Sequence, residues 1–151
     1  MVNPGDGQTA NIPCWVRNVD DQKFQVFAIN CAHLGCPVQP GGVLGPEKDL
    51  TVGKEPVKLI PVAGLTGFGC PCHGGAYDTE GNRIAGPPVR SLDRFAYSIV
   101  NGNLVLGTLY SVGHVEGTGS TAKIRRYTSA APGVHVDGIE RWLYPIPVPG
   151  R

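Results

Sequence analysis

The sequence contains no apolar run approaching the eighteen or so residues that a membrane-spanning helix needs. Its start, Met1-Val2-Asn3-Pro4, lacks the basic and apolar regions of a secretory signal. Charge is sparse: 17% of residues are charged, below the usual quarter, and the formal net charge is +1. The clustered basic face that a nucleic-acid partner requires is therefore missing, and no such partner is expected. The one basic run, Lys123-Ile124-Arg125-Arg126, reads as a solvated strand edge. Long helices are excluded by 22 glycines and 14 prolines, both about twice average usage. What remains is a β-rich chain with many turns, and 151 residues suffice for one domain with a real core.

What the chain does have is a split pair of motifs, Cys31-Ala32-His33-Leu34-Gly35-Cys36 and Cys70-Pro71-Cys72-His73-Gly74-Gly75. As metal ligands, the first offers Cys-x-His and the second Cys-x-x-His, which leaves Cys36 and Cys72 over, one in each half. Two thiolates and two imidazoles can hold zinc tetrahedrally, usually with the cysteines in one short element and the histidines in another. They can also hold a Rieske [2Fe–2S] cluster, with the cysteines on one iron and the histidines on the other. Mixing one Cys with one His in each half disfavours zinc and suits the cluster. The flanking Gly35, Gly74 and Gly75 let backbone N–H groups approach its sulfides. Cys14, the fifth cysteine, reads as a small buried apolar residue. His114 and His135 have no spaced partners and read as ordinary histidines.

Along the chain, residues 1–11 read as irregular. Trp15-Val16-Arg17 and Phe24 to Ile29 read as strands around a turn over 18–23, with alternation burying Phe24, Val26 and Ala28 or their neighbours. The second strand delivers the chain into Cys31. Residues 37–54, rich in Gly and Pro, read as a surface excursion, and 57–62 as an edge strand ended by Pro61. Ala76-Tyr77-Asp78 begins a short strand that turns at 79–82. Gly86-Pro87-Pro88 can be neither strand nor helix interior. Asn101-Gly102, between 95–100 and 104–109, is a hairpin signal. Further strands are expected over 123–128 and 139–144. The stretch 145–149 should be polyproline-like, with Trp142 and Tyr144 anchoring the tail on the base.

The two motifs closely resemble those of the Rieske iron–sulfur proteins of cytochrome bc-type complexes. That family carries Cys-x-His-Leu-Gly-Cys followed by Cys-Pro-Cys-His-Gly-Ser, and this chain departs in having Gly75 for the serine. The likeness continues through Tyr77-Asp78 and the Gly86-Pro87-Pro88 turn to about Leu109. It covers neither the interval before Cys70 nor the last forty or so residues. It implies an all-β fold, a Rieske-type antiparallel β-sandwich or barrel base with a small cluster-binding subdomain formed by two loops. The chain would then divide into a Rieske domain over 1–110 and a C-terminal extension over 111–151 packing on the base. The cluster-binding part would be about 31–92, with a long insertion at about 37–69. One [2Fe–2S] cluster per chain is implied, with Cys31 and Cys70 on one iron and His33 and His73 on the other. Cys36 and Cys72 would form a disulfide joining the two loops. Tyr77 would donate to a cysteine sulfur, Gly75 lacks the hydroxyl a serine would give, and Gly86 and Pro87 belong to a stiff loop covering the cluster. Rieske potentials span roughly −150 to +300 mV, and the middle of that range is expected here.

The function implied is electron transfer by the iron–sulfur subunit of a quinol:cytochrome c oxidoreductase. An electron, coupled to a proton, would come from a quinol, menaquinol by the expected potential, and pass to a c-type cytochrome. Cytochrome b and cytochrome c-type subunits would be partners. His73 and His33 would meet the quinol at a solvent-facing tip, with Leu34 as an apolar contact. The alternative is the Rieske small subunit of a periplasmic arsenite-type oxidase, acting as an electron relay. A soluble oxygenase ferredoxin usually lacks the counterparts of Cys36 and Cys72, and a structural zinc module is the non-redox alternative. A stable disulfide would place the domain in an oxidising compartment, the outer face of a bacterial plasma membrane. Members of the family are held by an N-terminal transmembrane helix. A trimmed soluble fragment is therefore expected here, reaching the membrane only through that anchor or a partner subunit.

Overall fold

Short runs of β-branched and aromatic residues, punctuated by glycine, give twelve strands and no α-helix among the described residues, 12–127 of a computed structural model. In chain order they are β1 (Cys14–Asp20), β2 (Lys23–Ala28), β3 (Gln39–Leu44), β4 (Lys48–Val52), β5 (Glu55–Leu59), β6 (Val62–Cys70), β7 (Gly75–Tyr77), β8 (Arg83–Ala85), β9 (Arg94–Val100), β10 (Asn103–Tyr110), β11 (Val112–Glu116) and β12 (Lys123–Arg126). Every named pairing is antiparallel. One sheet runs β1-β2-β9-β10 and forms the base, and a second runs β3-β6-β7-β8 and carries the motifs. No helix among the described residues is long and apolar enough to cross a membrane.

The hairpin at Asn101-Gly102 forms as the dipeptide dictates, with φ of +52° and +78° in the twist-compatible turn that joins β9 to β10. In β2 the simple alternation fails, because Gln25, Val26, Phe27 and Ala28 are all buried. Phe27 packs on Phe68 of the second sheet, ring centroids 5.0 Å apart, which joins the two layers. Gln25 instead meets a buried carboxylate from another loop, so both faces of this strand are covered.

Residues 37–54 are not the irregular excursion their composition suggests. They form β3 and β4, which pair with β6 and β5, so residues 39–70 make one long hairpin with a ribbon at its end. Pro40 is tolerated because β3 pairs on one side only, where a missing N–H can face outward. Pro61 ends β5, as its position implies, and the chain resumes as β6. Every residue of β4 and β5 is exposed. The expected strand at 123–128 is β12. Its partner β11 has no clear signal in the sequence, yet buries Val112 and Val115. The expected strand at 139–144, the anchors Trp142 and Tyr144, the polyproline stretch and His135 lie outside the described residues.

Candidate metal centre

Two loops carry the motifs to the same end of the second sheet. The first leaves β2 and enters β3. A bridge between Asn30 and Pro37 pinches its neck, and the Cys31 N–H donates to the Cys36 carbonyl at 2.8 Å. The second is the tight connection from β6 to β7, where Cys70 pairs with Gly75. In each loop a glycine four residues after the leading cysteine donates back to that cysteine's carbonyl, Gly35 to Cys31 at 3.0 Å and Gly74 to Cys70 at 3.1 Å. Both glycines are left-handed, with φ of +82° and +72°, so both loops close by the same turn. A cysteine thus sits at the root of each loop and a histidine near its crest. The disulfide between Cys36 and Cys72 joins the loops, with Cα atoms 6.5 Å apart.

Burial separates the two kinds of donor. Cys31 and Cys70 are 1% and 4% exposed and belong to the core with Phe27, Val38, Phe68, Tyr77 and Leu92. The His33 and His73 rings stand edge to face, centroids 4.9 Å apart. His73 is exposed, and His33 and Leu34 are half-buried. The thiols therefore sit in the core and His73 at the surface, while His33 lies between them with its Nε2 buried. Burial pushes the Cys31 thiol up to about 11, against the lowering effect of the Tyr77 hydrogen bond, so a thiolate here wants a nearby positive charge. Burial, and then the neighbouring His73, lower the pKa of His33 toward the neutral imidazole that metal ligation needs.

Tyr77, 1% exposed, reaches this site from β7. Its hydroxyl oxygen accepts the Ala32 N–H at 3.0 Å and lies in hydrogen-bond contact with Cys31 Sγ at 3.1 Å, where either group can donate. The turn after β7 is locked from below. Asp78 Oδ1 accepts the N–H groups of Glu80 and Asn82, both at 2.8 Å. Asn82 exchanges two hydrogen bonds with the Val115 backbone, at 2.9 and 2.8 Å. The Glu80 carboxylate takes Arg17 and Gln25, each at 2.7 Å, and the Gly119 N–H at 2.9 Å. Burial alone would raise Glu80; the Gly119 N–H and the side chains of Arg17 and Gln25 outweigh it and hold the carboxyl below its ordinary value. Nothing in the sequence singles out Glu80 or Asn82 except the turn they occupy.

The donor set fits a two-iron site better than a single tetrahedral ion, whose ligand atoms would all stand within about 4 Å of one another. Among the described residues, the three candidate ligand atoms that gather within 4.8 Å are those of Cys36, Cys70 and Cys72, and two of these are consumed by the disulfide. The motif side chains are arranged instead as a thiol pair and an imidazole pair. His114 is exposed on β11, and Cys14 is a half-buried thiol raised by its own burial. Neither belongs to the gathering.

Residues 3–96, more than half of the chain, match the family of the Rieske [2Fe-2S] domain. The chain belongs to the Rieske family. A Rieske domain binds a [2Fe–2S] cluster through two cysteines and two histidines. Among relatives, the chain is 33% identical over 90 residues to a menaquinol:cytochrome c reductase iron-sulfur subunit of Geobacillus thermodenitrificans, covering 58% of this chain and 43% of that one. It is 32% identical over 94 residues to the protein of the same name in Bacillus subtilis, covering 62% and 45%. Over 120 residues it is 27% identical to a carotenoid phi-ring synthase of Chlorobaculum tepidum, covering 68% of this chain and 15% of that protein. The chain thus spans less than half the length of each of these relatives. No solved structure matches it.

Proposed function

We propose that this Rieske domain is the electron-transfer part of a quinol:cytochrome c oxidoreductase. Cys31 and Cys70 would hold one iron of the cluster, and His33 and His73 would hold the other. The cluster supplies one-electron chemistry when bound; the chain's residues supply its insulation, its exposure and its proton handling. Cys31 and Cys70 sit among Phe27, Phe68 and Leu92, which keep water from the sulfur side. Tyr77 directs its hydroxyl at Cys31 and so favours the more negative, reduced state. The disulfide holds the two loops in register. His73 offers an exposed imidazole edge, with Leu34 beside the site as the apolar contact for a quinol ring. A quinol gives up a proton with its electron, and an exposed imidazole is the group able to take it.

The observation that carries this reading is an imidazole pair, with His73 at the surface, backed by two thiols buried in the core. Menaquinol is the proposed donor, on the strength of Gly75, which gives no hydroxyl to the sulfides, and of the names of two similar reductase subunits. A c-type cytochrome is the proposed acceptor, with a cytochrome b subunit as neighbour, on the outer face of a bacterial membrane where the disulfide is stable. Two measurements test the proposal on the reconstituted protein. Alanine at Cys31, His33, Cys70 or His73 should abolish the Rieske absorption and EPR spectrum, while His114→Ala leaves it unchanged. The reduction potential should be level at low pH and fall at high pH by about 59 mV per unit for each coupled proton. A potential constant from neutral to strongly alkaline pH would remove the quinol role and leave an electron relay.

A further inference from the structure

The ribbon of β4 and β5 has a side that none of the described residues covers. Residues directly opposite each other in an antiparallel pair share a face, and so do residues two apart along a strand. The rungs Lys48–Leu59, Leu50–Val57 and Val52–Glu55 therefore put all six of these side chains on one face. Four of them are apolar, each between 37% and 46% exposed. The two end rungs carry opposite charges, Lys48 on one and Glu55 on the other. The reverse face holds the rungs Asp49–Lys58 and Thr51–Pro56. Its charges are satisfied within the chain, since Lys58 Nζ meets Glu47 Oε1 at 2.5 Å and Asp49 Oδ1 at 3.8 Å.

Lys48 and Glu55 have no such partner among the described residues. Their rungs are four residues apart along β4, about 14 Å, so they cannot pair with each other within one ribbon. A second copy changes that. Turned about a two-fold axis that lies between the faces and across the strands, each copy sets its Lys48–Leu59 rung over the other's Val52–Glu55 rung. The Leu50–Val57 rungs then meet at the axis, and a lysine stands beside a glutamate at both ends. This is the self-complementarity that an isologous contact requires. A lipid surface is a poorer match. Residues 46–60 hold three lysines against three acidic residues and no aromatic residue, so they offer neither net attraction to anionic headgroups nor an interfacial anchor.

We propose that this face of the β4–β5 ribbon is a homodimer contact, packed against the same face of a second copy of the chain. Six residues a side fall well below the roughly 20–30 of a standard stable interface, so the dimer is weak and forms at roughly 0.1–1 mM protein. The ribbon closes the β3–β6 hairpin at the end opposite Gln39 and Cys70, where the motif loops attach. The two metal centres of a dimer therefore point away from each other, and each His73 stays open to a partner of its own.

Sedimentation equilibrium of the full chain from about 10 μM to 1 mM tests the contact. The weight-average mass should rise from that of one chain, 15.9 kDa, toward twice that value. Leu50→Asn should leave a monomer at every concentration, as should replacing residues 46–60 with Asn-Gly. Lys48→Glu and Glu55→Lys each put like charges at both ends and should weaken association about fivefold. An equimolar mixture of these two variants opposes unlike charges at both ends again and should recover the parent's association to within about twofold. Melting curves unchanged by the three point substitutions, all at exposed positions, show that the fold is intact. A parent chain monomeric at 1 mM would overturn the proposal, and so would a dimer that survives Leu50→Asn. Failure of the mixture to recover would overturn the two-fold arrangement. Binding of the parent, but not of Leu50→Asn, to phosphatidylglycerol vesicles at concentrations where the parent is monomeric would assign the face to a membrane instead.

Discussion

Replacing Cys36 and Cys72 by serine removes the one covalent tie between the two motif loops, and its cost can be worked from the chain it closes. The bond joins residues 36 apart in sequence. In the chain-entropy account, a loop of that length loses about 12.8 cal/mol/K when closed, which is about 3.8 kcal/mol at 25 °C. The closed segment contains the hairpin from β3 to β6, and residual pairing in the unfolded chain lowers the figure toward about 2 kcal/mol. For a domain of this size, each kcal/mol shifts Tm by about 3–5 °C, so the double variant should melt about 6–19 °C lower than the parent. Thermal unfolding by circular dichroism on the metal-free protein isolates this term from metal binding. Because Cys72 is exposed, a soluble reductant should reproduce the same loss in the parent chain. A shift under about 2 °C would refute the reasoning, as would alkylation of both cysteines under non-reducing conditions.

Three further expectations follow from the same structure. Tyr77→Phe leaves the buried Ala32 N–H without its acceptor and deletes the donor to Cys31, which should cost about 1–3 kcal/mol of stability and lower the reduction potential by roughly 20–60 mV; voltammetry showing a rise would contradict the hydroxyl's assigned direction. Glu80 has its pKa lowered from the ordinary 4.5 by folding, so its contribution is fully present above that value and is lost as pH falls through the depressed one. Melting curves from pH 6 to pH 2 should therefore steepen below about 4.5 for the parent but not for Glu80→Gln, and parallel curves would count against the carboxylate's role. Residues 46–60 should be dispensable for the fold, because β4 and β5 are exposed throughout and the Gly45 N–H already meets the Pro61 carbonyl at 2.8 Å. Replacing them with Asn-Gly should change stability by about 0.5 kcal/mol at most, and failure of that variant to fold would show that the ribbon supports the core.

The sequence by itself determined the features that depend on local chemistry. Cysteine and histidine at fixed short spacings are readable without a fold, because each loop must present its donors within one turn of backbone. Asn101-Gly102 decided its hairpin for the same reason, since the turn it adopts needs left-handed residues at both positions. The pairing of Cys36 with Cys72 was legible only through resemblance to a family; the structure supplies its physical basis, since two identically closed loops meet at one end of a sheet. Tertiary structure alone decided the rest. Residues 37–54 look like loop by composition and become strands because β6 and β5, later in the chain, supply hydrogen-bond partners to β3 and β4. Gln25 and Glu80 look like surface residues and are buried because Arg17 and the Gly119 N–H arrive from distant elements to satisfy them. Gly75 reads as a serine gone missing, but in space it is the floor on which Pro88 rests. Such facts escape a linear reading because burial and close approach are properties of pairs of segments, and no single segment encodes which neighbour it will meet.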